Sequence, residues 1–116
     1  MAGAALVALM AAGCASDATL ASAKVSQAER AVNEAKQSNA GVTAPVELRT
    51  AEDKLTAARA AAARGEHDEA IRQADQALAD ADYARARASN AQVKKIADDM
   101  RQNIQTLRQE LERLPR

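Results

Sequence analysis

Phenylalanine and tryptophan are absent from this 116-residue chain, and Tyr83 is its one aromatic residue. A deep globular core goes with them, because aromatic side chains supply much of the area such cores bury. The β-branched and aromatic clusters that build sheets are equally scarce. A single cysteine, Cys14, permits no disulfide within the chain. A single histidine, His67, leaves no Cys/His cluster for a transition metal. Charge of either sign is not in excess, since 16 Lys and Arg face 16 Asp and Glu. With no basic block and no aromatic stacking platform, no nucleic-acid partner is expected.

What the chain has is alanine. Hydrophobic residues make up 47%, and about a quarter of the whole chain is Ala, well above ordinary usage. Alanine is the strongest helix former and lets helices approach closely, but each one buries little area. The expected fold is all-α: an elongated antiparallel helical hairpin or three-helix bundle.

The organising stretch is 57–71, where an alanine run meets Gly65 and then Asp68 and Glu69. Glycine ends one helix with a backbone that other residues disfavour, and acid in the next first turn suits the helix dipole. The chain is predicted to fold back here. Leu48, Ala51, Leu55, Ala58 and Ala62 then face Ala70, Ala74, Ala77, Ala81 and Ala84.

An earlier helix is predicted to start at Ser16–Asp17, with a stripe of Ala21, Val25, Ala28, Val32 and Ala35. Residues 38–43 break it, and Thr43 and Pro45 open the second helix. The third begins near Asp68 and meets no Gly or Pro until Pro115, about 70 Å of helix at 1.5 Å per residue. Its alanine stripe is expected to run on through Ala88 and Ala91.

Beyond that the pattern changes. Ala97, Met100, Ile104, Leu107, Leu111 and Leu114 recur at alternating steps of three and four, a coiled-coil seam out of phase with the alanine stripe. The second helix is too short to cover it. The five large residues, Met100, Ile104, Leu107, Leu111 and Leu114, are the candidate interaction surface, for a partner helix or a weakly associated second copy. Opposite charges at i,i+4, such as Arg49/Asp53, Asp68/Arg72 and Arg108/Glu112, are expected to pair on solvated faces.

Residues for chemistry are sparse. His67 is expected as an exposed polar residue in a turn. Asp75, Asp80 and Asp82 lack the glycine-bearing loop of a calcium site and read as a solvated face. Ser89 and Thr106 have no histidine near them in sequence. An enzyme is not expected, and no cofactor is implied.

The N-terminus is an uncharged apolar run ending in Ala11-Ala12-Gly13-Cys14. It is too short to span a bilayer and fits the apolar region and small-residue end of a secretory signal. This ending resembles the lipobox of bacterial lipoproteins, with Ala11 where Leu is usual and no Lys or Arg before the run. The resemblance implies cleavage before Cys14 and diacylglyceryl modification of its thiol. Ala15 in place of Asp after that cysteine implies the outer membrane, on its periplasmic face. An ordinary apolar N-terminus with an incidental free cysteine is the competing reading.

Residues 65–71 with Ala77-Leu78 resemble the centre of one tetratricopeptide repeat, which implies a peptide-binding adaptor as the alternative function. A fuller resemblance runs from Ala44-Pro45-Val46-Glu47-Leu48 through the Gly65 turn to the Ala70–Ala88 ladder. It is to small alanine-rich periplasmic lipoproteins of a domain-of-unknown-function family, related to the N-terminal helical part of OmpA-like lipoproteins. The major murein lipoprotein is also similar, but it is tethered through a C-terminal Lys where this chain has Arg116. The expected organisation is a lipoprotein signal peptide over 1–13, an alanine-rich helical bundle over 14–92 and a coiled-coil extension over 93–116. The expected function is non-enzymatic: an outer-membrane-anchored helical lipoprotein with a structural or protein-interaction role in the cell envelope. Its partners are then the membrane, through the lipid, and an envelope or OmpA-like protein.

Overall fold

The computed structural model describes the backbone of residues 10–115 and the side-chain surroundings of residues 16–115. Four helices follow one another: α1 (Met10–Gln37), α2 (Ala40–Thr43), α3 (Pro45–Ala63) and α4 (His67–Arg113). Helix α3 runs back along α1, and α4 returns along both, so three helices pack side by side into a rod with principal extents of 107 × 21 × 14 Å. The all-α, elongated expectation holds, including the long last helix.

Helix α1 starts earlier than Ser16, since its backbone is already helical from Met10. The Ala-rich stretch there outweighs Gly13, whose cost in a helix is about 1 kcal/mol. Cys14 is thus part of the helical backbone, while residues 1–9 of the expected signal peptide lie outside the described residues.

Between α1 and α3 the chain turns at Asn39, whose φ is 66°. Asparagine tolerates this left-handed conformation better than most residues. The expected break at 38–43 then contains one helical turn, α2, which buries Ala40. Thr43 closes that turn by donating its hydroxyl to the Asn39 carbonyl at 3.0 Å. Ala44, not Thr43, caps α3, and Pro45 stands at its start where a missing N–H costs nothing.

The knuckle forms where the sequence places it. Gly65 has φ +77°. The Glu66 N–H reaches the Ala61 carbonyl at 3.0 Å and the Gly65 N–H reaches Ala62 at 3.1 Å. This pair of bonds is the Schellman arrangement, which satisfies carbonyls that the end of α3 would otherwise leave open.

Val32, Leu48 and Leu55 are the only residues of the buried core larger than alanine among the described residues. Ala31 joins the α1 stripe. Two positions depart from expectation. Ala61 is buried and Ala62 only partly so, because α3 packs against α1 as well as α4 and its interior face shifts by one residue at the last turn. Ala91 is exposed, because it borders an open cleft with Ser38, Asn39 and Thr43 and no helix packs on it.

Ion pairs tie each couple of helices twice. Lys24–Asp75 (2.8 Å) and Arg85–Glu34 (2.7 Å) join α1 to α4. Lys36–Glu52 and Arg59–Glu29, both 2.7 Å, join α1 to α3. Lys54–Asp80 (2.6 Å) and Arg87–Glu47 join α3 to α4. Alanine faces slide past one another with little change in shape, so these pairs supply register that the core alone defines poorly.

Candidate interaction surface

Beyond Ala88, α4 buries no residue, although Ala91, Gln92 and Lys95 still border an open cleft with Ser38, Asn39 and Thr43. From residue 89 to 115 only Ala97 is even partly covered. The predicted surface residues are all exposed there, Met100 60%, Ile104 52%, Leu107 58%, Leu111 66% and Leu114 62%. Two more were missed by the sequence reading. Val93 is 65% exposed and Ile96 46%. Val93 lies one heptad before Met100, and that spacing was the signal that could have found it.

The surface points away from the bundle. Ala97 follows the buried Ala88 by nine residues, two and a half turns at about 3.6 residues per turn. It therefore stands on the opposite side of α4 from the face that packs on α1 and α3.

Around the apolar stripe the charges pair locally. Lys95 contacts Asp99 and Arg101 contacts Asp98, each at 2.7 Å. The hydrogen bond to Asp99 raises the Lys95 ammonium above its ordinary pKa. The expected Arg49–Asp53 pair is present at 3.3 Å. Arg108 and Glu112 do not pair among the described residues, and Arg72 joins Glu69 instead of Asp68.

At the other end, Glu66 and Glu69 flank the start of α4. A hydrogen bond from Arg64 holds the Glu66 carboxyl below the usual glutamate range. Hydrogen bonds from Gln73 and then Arg72 do the same for Glu69. His67 is half-buried, not exposed, because the close return of α4 tucks it against the cleft lined by Ser22, Val25 and Ala62.

The candidate chemical residues are not brought together. Ser89 and Thr106 lie on the same straight helix as His67, about 33 and 58 Å along it at 1.5 Å per residue. Thr106 donates its hydroxyl to the Gln102 carbonyl at 3.0 Å. Asp75, Asp80 and Asp82 are each engaged by a cation, Lys24, Lys54 and Arg85. No group of three acidic, His or Cys side chains converges on one point among the described residues. No helix among them is long and apolar enough to cross a membrane.

Neither the curated proteins nor the solved structures gave a match to this chain. A family model does match, over residues 23–100, which takes in most of the three-helix bundle and the inner part of the exposed stripe and stops at Met100. Since that region is about two thirds of the sequence, the chain belongs to the family described as Domain of unknown function (DUF4398).

Proposed function

We propose that this protein is a non-enzymatic, lipid-anchored helical lipoprotein on the periplasmic face of the outer membrane, where it takes a structural or protein-interaction role in the envelope. The observation that carries the interaction role is the exposed stripe from Val93 to Leu114, held on a helix that the bundle grips only up to Ala88. Seven large apolar side chains in water forgo a large stabilising term, since burying one contributes about 1.5–3 kcal/mol. A surface of this kind marks a binding face. The anchoring role rests on Ala11-Ala12-Gly13-Cys14 and its resemblance to a lipobox. The proposed kinship to the helical part of OmpA-like lipoproteins points to the same compartment.

The tetratricopeptide-like adaptor draws less support. Helix α1 lies against both α3 and α4, over the face that an open hairpin would offer to a peptide.

Metabolic labelling with a palmitate analogue tests the anchor. The wild-type chain is expected to take the label and to fractionate with outer membranes, and Cys14→Ser to lose both. Acyl chains contribute about 0.8 kcal/mol per buried methylene, so loss of the thiol converts near-permanent anchoring into release. Label retained by Cys14→Ser removes the lipoprotein reading.

A further inference from the structure

We propose that the exposed stripe of α4 is covered by the same stripe of a second copy, as a parallel, in-register, two-stranded coiled coil. This deepens the interaction reading above and rests on it, but not on the lipid.

The heptad carries the assignment. With Leu107 and Leu114 at d, the a positions are Asn90, Ala97, Ile104 and Leu111, and Val93 and Met100 are the earlier d residues. Asn90 to Arg113 is nearly three and a half heptads inside one helix, and Leu114 caps it with an extended backbone. That length is enough for a coiled coil of its own. Ile104 is the β-branched a residue, and beside Leu107 at d it favours two strands over three or four at that layer.

Asn90 then chooses the alignment. It is exposed on the single chain and sits at the base of the stripe, at an a position. A lone a-position Asn fixes register and oligomer state, because across a parallel pair it meets its own copy and can exchange amide hydrogen bonds. Any shifted or antiparallel pairing sets it against an apolar residue and leaves a polar group unsatisfied.

The flanks agree. The e positions are Lys94, Arg101 and Arg108, and the corresponding g positions are Ser89, Ile96 and Asn103. An antiparallel pair lays e along e and stacks cation on cation. A parallel pair lays e along g of the other copy, where no like charges meet. Ile96 widens the apolar strip beside the small Ala97, filling space that alanine leaves at that layer.

Size and direction also fit. Seven large apolar side chains on each copy, exposed by 46–66% on the single chain, are there to be covered. Counting 100° per residue from the buried Ala88, the seven side chains stand about 80–160° round α4, turned away from the face packed on α1 and α3.

The test uses the full chain carrying Cys14→Ser, with single cysteines introduced as Ile104→Cys (position a) or Gln105→Cys (position b). The expected result is a dimer by sedimentation equilibrium, in which mild oxidation joins the Ile104→Cys chains at least tenfold faster than the Gln105→Cys chains. Adding Asn90→Leu is expected to keep association while spreading it into higher oligomers. A strictly monomeric chain, a trimer or tetramer of the Asn90 protein, or equal cross-linking at 104 and 105 each overturns the proposal. Should the chain be monomeric while Leu107→Asp with Leu111→Asp still abolishes an envelope cross-link, the homodimer fails and the wider interaction reading stands.

Discussion

Gly65 and Gly41 make opposite demands on their backbones. Gly65 has φ +77°, and nothing lies within 4 Å of where a Cβ would sit. Its constraint is therefore conformational alone. Gly65→Val is expected to lower stability by about 1–2 kcal/mol, read as a fall in Tm by circular dichroism. Gly41 lies in α2, and an added Cβ would sit 3.8 Å from Leu48 Cδ2, an ordinary contact. Gly41→Ala is expected to raise stability by about 0.4–1 kcal/mol in the same melt. The need for glycine at 65 was legible in the sequence from the alanine run before it and the acids after it. The left-handed Asn39 was not, because Asn in a polar stretch is compatible with many turns.

Glu66 and Glu69 give the acid limb of stability its sign. Both carboxyls are held below the ordinary glutamate value of about 4.3. A depressed folded pKa adds stability that is complete above the unfolded value and is lost as pH falls through the folded one. Tm is expected to be insensitive to these groups between pH 7 and 5 and to fall below about pH 4. Glu66→Gln with Glu69→Gln should flatten part of that fall in a pH series of thermal melts.

At the scale of helices, the interior is set by close alanine contact. Ala77, Ala81 and Ala84 are 0% exposed where α4 meets its neighbours. Ala81→Leu forces the helices apart or the side chain off its rotamer, a cost of about 1–3 kcal/mol by urea denaturation. On a surface helix the same change is nearly neutral. This tolerance for nothing larger explains what the sequence disclosed. The stripes through Ala28, Ala58 and Ala74 were readable because helices packed this closely have to keep their period. The shift from Ala62 to Ala61 was not readable, since it depends on α1 wedging against α3, a contact between distant parts of the chain. The inter-helix ion pairs were hidden for the same reason: Arg85 shows an acid at 82 in sequence, whereas its 2.7 Å contact is to Glu34.

Across the whole molecule, bundle and stripe are energetically separate. The residues from 89 onward touch neither α1 nor α3 closely enough to be buried by them. Leu107→Asp with Leu111→Asp is therefore expected to leave the bundle's unfolding free energy within about 0.5 kcal/mol of wild type, by urea titration at dilution. The stripe itself was partly legible. Its outer residues announced themselves by size, while Val93 and Ile96 were masked by the polar residues around them, and the direction of the stripe needed the buried face of α4 as a reference.

That α4 is one unbroken helix from His67 to Arg113 has a mechanical side. Alanine contacts hold it from Ala70 to Ala88, and Ile104 stands about 24 Å beyond Ala88 at 1.5 Å per residue. The helix is a lever whose held arm has almost no play. A tilt of one degree at Ala88 carries Ile104 sideways by about 0.4 Å over such an arm. Repacking too small to disturb the bundle is thus magnified at the tip, and a load applied at the tip bears first on the outermost layers, at Ala84 and Ala88.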